Sequence, residues 1–191
     1  MTAVDGARIA DEALAGAARL HERMRANAGP AVLAAQTISD ALRAGGKLLV
    51  FGNGGSAADA QHLSSELVGR FQKERAAIPA IALTVDSSVL TSVANDYSFA
   101  QVFARQIDAF GRPGDVALGI STSGESPNVV AALQAAKAKG LKTVALTGRD
   151  GGTAGRVADI HVNVPDQSTQ RVQEVHQTLI HVLCEVIEAN A

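Results

Sequence analysis

Asp59, His62, Glu66 and Arg70 recur at spacings of three and four in SAADAQHLSSELVGR, residues 56 to 70. On a helix that spacing stacks their side chains along one face. An imidazole one turn from a carboxylate is equipped to move protons. Taken alone, the line reads more simply as a solvated, salt-bridged surface, with Ala60, Leu63, Leu67 and Phe71 as the core side. What precedes it changes the weight. Gly52-Asn53-Gly54-Gly55-Ser56 follows an apolar run, and glycines let a chain turn tightly and bring several N–H groups near an anion. The reactive line therefore begins just behind a candidate phosphate turn.

A second turn has stronger chemistry. Ser121-Thr122-Ser123-Gly124-Glu125-Ser126 is followed by Pro127, which predicts Ser126 as N-cap and Pro127 as the first residue of a helix. That helix should stop at Gly140, with Lys137 and Lys139 in its last turn. Hydroxyls clustered at a helix N-terminus, where free N–H groups and the dipole favour an anion, make a phosphate site. Turn and cap chemistry alone would need only one of them. Asn95-Asp96, in SVANDYSFA, is a third candidate: its side chains suit sugar hydroxyls, although such a pair also makes an ordinary loop turn. A phosphate loop beside a hydroxyl-binding loop points to a phosphosugar. Gly52, Gly54 and Ala57 also match a loose dinucleotide fingerprint, but the acid it requires about 20 residues on is missing. The candidate, Asp86, stands far beyond that spacing, so this reading is set aside.

The last helix, residues 168 to 189, adds Gln173, Gln177 and His181 on one flank. His176 falls within its apolar arc and is most simply a hydrogen-bonded core or interface histidine. Gln173 and His181 lie about 12 Å apart along a helix, so they can share a point only if both side chains reach inward. The arc of Val172, Val175, His176, Leu179, Ile180, Val182, Leu183, Val186 and Ile187 covers about 160°, wider than the stripe of an ordinary surface helix. Either the helix is deeply buried or it meets a second subunit, and the second reading is favoured.

These residues need a frame. The apolar runs 47–51, 80–85, 115–120, 142–147 and 159–164 are strand-length, and helical segments separate most of them. That alternation predicts a parallel sheet covered on both faces, whose ligands sit outside the carboxyl ends of the strands. Residues up to about Ala44 read as alanine-rich helix broken at Gly29-Pro30. The first of these helices has only a thin stripe (Ala7, Ala10, Leu14, Ala17, Met24) and should pack against something else. The chain's 191 residues suit a single domain. A formal net charge of -2 and 3% aromatic residues argue against nucleic acid and anionic membrane as partners. One cysteine, Cys184, and a start without signal-peptide character lead us to expect a cytoplasmic protein without disulfides.

Together the FGNGGS and GISTSG loops, the AND tripeptide and RVQEVHQTLIH resemble the phosphoheptose isomerases of the sugar-isomerase (SIS) domain family, over nearly the whole chain. The loops alone identify only the SIS domain; His62, Glu66, Gln173 and His181 together select the isomerase subgroup. The resemblance implies a three-layer α/β sandwich on a five-stranded parallel sheet, flavodoxin-like, with residues 2–44 as extra helices for oligomer packing. It implies a homotetramer with active sites between subunits. The implied reaction turns sedoheptulose 7-phosphate into D-glycero-D-manno-heptose 7-phosphate through an enediol. Asn53, Gly54, Gly55, Asn95, Asp96, Glu66 and Gln173 would line the substrate, and Ser121, Thr122, Ser123 and Ser126 would hold its phosphate. Glu66 would be the base and His181 its acid-base partner. One Zn2+ per subunit would be bound by His62, Glu66, Gln173 and His181, although glutamine is a poor zinc ligand. Some family members carry an aspartate where this chain has Gln170, so any role of that aspartate does not transfer. The rival readings are a non-catalytic SIS protein that binds the bacterial replication initiator, and a phosphosugar sensor. The first tends to lack the counterparts of Glu66 and His181.

Overall fold

The structure, a computed structural model, describes residues 4 to 191. Two helices open it, α1 (Gly6–Arg25) and α2 (Gly29–Arg43). An α/β alternation follows: β1 (Leu48–Gly52), α3 (Gly55–Val68), β2 (Ala80–Ala82), α4 (Ser87–Asp96), α5 (Ala104–Phe110), β3 (Val116–Ser121) and α6 (Pro127–Ala138). It closes with β4 (Lys142–Gly148), α7 (Gly152–Val157), β5 (Ile160–Val164) and α8 (Thr169–Ala189). All five predicted strands form, β2 shortened to its first three residues.

The strands make one parallel sheet in the order β2-β1-β3-β4-β5. Alternate residues face opposite layers. Leu48, Val50, Val116, Leu118, Ile120, Val144, Leu146, Val162 and Val164 join α1, α2, α3 and α8 on one face. Leu49, Phe51, Ala117 and Ala145 join α5, α6 and α7 on the other. This is the expected three-layer sandwich. In this order the chain reverses direction between β1 and β3, and the loops leaving those two strands diverge to opposite faces, opening the crevice where doubly wound folds bind ligands. The two candidate phosphate turns leave those strands: Gly52 pairs with Ile120 at their carboxyl ends.

The wide apolar arc of α8 has a different cause from the favoured one. Val172, Val175, His176, Leu179, Ile180, Leu183 and Ile187 are buried within this chain, with only Val182 and Val186 partly open. The helix lies in a trough of α1, α2, α3 and the sheet, so the width of its arc does not call for a second subunit. His176 is a core histidine: its Nε2–H donates to the Thr147 carbonyl at 3.0 Å. Burial drops its pKa to about 4, against the smaller upward pull of that bond. Cys184, two turns further along α8, is also buried in the core, its thiol pushed up to about 12, mainly by burial. Of the stripe expected on α1 only Met24 is buried and Ala17 partly so, while Ala7, Ala10 and Leu14 are exposed. Leu20 is buried too, and Ile9 stands exposed.

Candidate active site

The turn after β3 forms the most concentrated hydroxyl group of the site. Ser121 Oγ lies 3.0 Å from Ser126 Oγ and 3.4 Å from Ser123 Oγ. Ser123 Oγ accepts the Glu125 N–H at 3.1 Å, so its own proton can be donated either to Ser121 or outward to an anion. Ser126 is the N-cap of α6 by position, but its side chain makes no capping hydrogen bond. Its hydroxyl is committed to Ser121 instead, and the expectation of a capping serine is corrected to that extent. Pro127 opens the helix as expected. Gly124 carries φ of 69° and presses on the Gly151–Gly152 backbone, so no larger residue fits there. The Ala154 N–H donates to its carbonyl at 2.8 Å, and the Glu125 carboxylate takes the Thr153 N–H and hydroxyl, each at 2.8 Å. The loop is thus braced from behind by α7.

Across the crevice, Asn53 is held by a residue that sequence reasoning passed over. The Asn53 and Asn128 side-chain amides exchange two hydrogen bonds of 2.8 Å, and Asn128 also accepts the Val129 N–H at 3.0 Å. Asn128 is fully buried. It ties the glycine turn to the first turn of α6, across 75 residues of chain, and no local signal marks it.

The polar line on α3 does not face solvent along its length. It meets α8, which runs alongside in register. Gln173 packs its amide against Gly55, where any side chain would collide with it. Four residues on, Gln177 donates to the Asp59 carboxylate, and next His62 Nε2 faces His181 Nε2 at 3.0 Å. Glu66 Oε1 lies 3.6 Å from His62 Nε2. Only Arg70, beyond the end of α3, is fully exposed as the surface reading expected. Phe71 also lies beyond that end, and its ring forms a shelf with centroid 5.7 Å from the His181 ring. Asp59 is buried with its second oxygen unpartnered. Burial raises its pKa, opposed by the Gln177 bond and the nearby His62.

The proposed metal set is brought together in part. Two ligands at about 2.1 Å from one tetrahedral zinc stand about 3.4 Å apart, and the contacts of His62 with His181 and Glu66, 3.0 and 3.6 Å, bracket that spacing. Gln173 does not join them. It sits at Gly55, the first residue of α3, about 10 Å along the helix from His62. Among the described residues no three His, Cys, Asp or Glu side chains form a closed metal site, so the match is one of donor type and near position. Among the described residues, Asn95 and Asp96 make no hydrogen bond to the groups named above. They are the exposed last residues of α4 rather than a loop, and Asn95 donates to Asp96 at 2.8 Å. Gln170, exposed in the first turn of α8, accepts the hydroxyl of Ser168 at 3.1 Å. Asp86, the acid considered for a dinucleotide, caps α4 by accepting the Val89 N–H at 2.9 Å.

Comparison with known proteins agrees with this geometry. The SIS domain profile matches residues 14–148. A phosphoheptose isomerase from Geotalea daltonii is 58% identical over 153 residues, covering 80% of each chain. The solved phosphoheptose isomerase from Neisseria gonorrhoeae superposes with a TM-score of 0.89 at 43% identity, over 95% of this chain and 97% of that one. The one from Francisella tularensis gives a TM-score of 0.92 at 37% identity, over 97% and 100%.

Proposed function

We infer function from one premise: this chain belongs to the SIS domain family and, within it, to the phosphoheptose isomerases. It is an aldose–ketose isomerase that converts sedoheptulose 7-phosphate into D-glycero-D-manno-heptose 7-phosphate through an enediol, the first step toward nucleotide-activated heptose. The observation behind our assignment of roles is the meeting of His62, Glu66 and His181 where α3 and α8 face each other. The helix that carries two of them begins at the switch-point crevice. Incubation with sedoheptulose 7-phosphate, monitored for an aldose product, is the direct test.

In our reading the phosphate sits on the hydroxyls of Ser121, Thr122, Ser123 and Ser126, at the N-terminus of α6. Asn53, Gly54, Gly55, Gln173, Asn95 and Asp96 contact the sugar chain. Gripping the far end in this way fixes the carbonyl end relative to α3, so the proton transfer is intramolecular in effect. Glu66 takes the proton from C1 of the ketose and returns it to C2. His181 carries protons to and from the two oxygens, and His62, 3.0 Å away, sets its orientation. His62, Glu66 and His181 are also a suitable donor set for zinc. They would hold one ion per subunit, with Gln173 as fourth donor once its amide leaves Gly55. When bound, zinc supplies polarisation of the carbonyl. Elemental analysis of protein purified without added zinc should find one equivalent, and His181→Ala should lose it.

The homotetramer with shared active sites is part of the same proposal. What supports it is surface left uncovered in the single chain. Helix α4, which carries Asn95 and Asp96, buries none of its residues, and Tyr97 and Phe99 beyond it are exposed. So is His181. Light scattering in solution tests the assembly. No helix among the described residues is long and apolar enough to cross a membrane, and we propose a cytoplasmic location.

A further inference from the structure

Arg75 and Glu188 form an ion pair that the isomerase mechanism does not use. Both side chains are nearly closed off, 10% and 4% exposed, with Nε and Oε1 at 3.3 Å. What surrounds the pair is more telling. The Arg75 guanidinium donates to the carbonyls of Glu66 at 2.8 Å, Leu67 at 2.9 Å and Gly69 at 3.4 Å. Those are the carbonyls at the C-terminal end of α3, which has no basic residue in its own last turn. The Glu188 carboxylate accepts the N–H groups of Phe71, Gln72 and Lys73 at 3.1 to 3.3 Å. Burial opposes its ionisation, but these three donors and Arg75 outweigh it and hold the carboxyl below the usual range. The pair thus joins three pieces: the end of α3 that carries Glu66, the segment that carries the Phe71 shelf, and α8, where Glu188 lies two turns beyond His181.

We propose that Arg75 and Glu188 are positioning residues for the isomerisation: their ion pair locks α3, the Phe71 segment and α8 together and so fixes Glu66 relative to His181. The inference rests on the isomerase reading. A proton acceptor and its acid-base partner on two separate helices can act on one substrate only if those helices do not slide, and displacements on the order of 1 Å cost about 100-fold in rate. No other ion pair among the described residues ties α3 to α8 except through this segment. The phosphate loop, across the crevice, does not touch the pair.

A matched control exists within the molecule. Lys47 and Asp115 form a second buried ion pair, 2.6 Å apart, with Asp115 also accepting the Lys47 and Arg112 N–H groups. It lies at the amino ends of β1 and β3, away from the crevice. Turnover of sedoheptulose 7-phosphate by the unaltered enzyme first establishes the reaction. Glu188→Gln and Asp115→Asn are then compared per folded molecule, well below both melting temperatures. We expect Glu188→Gln to lower kcat at least tenfold with KM changed less than twofold, Asp115→Asn to lose comparable stability with kcat unchanged, and Glu188→Asp to recover part of the rate. Amide exchange at Phe71, Gln72 and Lys73 should speed up in Glu188→Gln. Should that variant fail to fold, Arg75→Lys, which keeps the charge but loses the fork to the α3 carbonyls, is read by the same criteria. Unchanged kcat in the readable variant, or an equal fall in Asp115→Asn, overturns the proposal.

Discussion

Replacing Glu66 with glutamine isolates the chemical step. The side chain keeps its length and its ability to hydrogen-bond, but no longer accepts a proton at neutral pH. Its only ionic contact is His62 one turn away, at 3.6 Å, and both side chains are partly open to water, 22% and 37% exposed. A pair of that kind contributes at most about 0.5 kcal/mol, so Glu66→Gln should melt within about 2 °C of the unaltered protein. The phosphate loop makes no hydrogen bond to Glu66, and KM should stay within a factor of a few. A positioned general base contributes about 10²- to 10⁴-fold, equivalent to about 3 to 5 kcal/mol of barrier, and kcat should fall by that much. Two assays divide the possibilities: aldose formation, and exchange of the C1 hydrogen of the ketose with deuterated solvent. Both should be lost together, while calorimetry still shows phosphosugar binding. Exchange that continues at the original rate while product formation falls would mean that another group removes the proton. Near-normal turnover would remove Glu66 from the chemistry altogether.

Ser123→Ala deletes a hydroxyl whose acceptor side is already used by Glu125 N–H. A hydrogen bond to a charged group contributes about 1.5 to 3 kcal/mol, so phosphorylated inhibitors should weaken about 10- to 100-fold and their dephosphorylated counterparts hardly at all. Asn128→Ala strands the Asn53 amide and frees the Val129 N–H. It should cost about 1 to 3 kcal/mol of stability, visible as a melting point several degrees lower, together with a raised KM. His176 gives a pH dependence. Its folded pKa of about 4 lies below the ordinary 6.5, so the unfolded chain binds the proton first, and its contribution is complete above 6.5 and lost as pH falls toward 4. Urea unfolding at pH 5 should therefore show about 2 kcal/mol less stability than at pH 7 from this residue, and His176→Leu should remove most of that slope.

Much of the fold was legible because its signals are local. Five apolar runs, the Gly29-Pro30 break and Pro127 at the head of α6 each act within a few residues, and all five strands and the starts of α2 and α6 follow them. The cluster of serine hydroxyls after β3 was legible for the same reason, as neighbours in sequence that stay neighbours in space. What escaped depends on partners far along the chain. Asn128 and Glu188 look like ordinary helix residues until Asn53 and the segment 71–73 arrive beside them from more than 70 residues away. The apolar arc of α8 was seen correctly but given the wrong partner, because an arc reports how much of a helix is covered and not by what. Phe71, read with Ala60, Leu63 and Leu67 as the core side of α3, does pack against that same core, but from beyond Val68, where the helix ends.

The face between α3 and α8 shows why such a site resists reading from pattern alone. Two helices against a sheet ordinarily meet through apolar side chains, and Leu63, Leu67, Ile180 and Leu183 do so below this face. Above them the same helices present Asp59, His62 and Glu66 to Gln177 and His181. Asp59 keeps one buried oxygen without a partner, and its raised pKa reflects the free energy that burial costs a carboxylate. An arrangement made only for stability would put a hydrophobic residue there. That this chain instead holds a line of ionisable groups over its main core, with α2, α8 and the sheet supplying the compensating burial, is what the proposed proton transfer would demand. Local rules are broken where protons have to move, and the breach is tolerable because the apolar cluster beneath it is large.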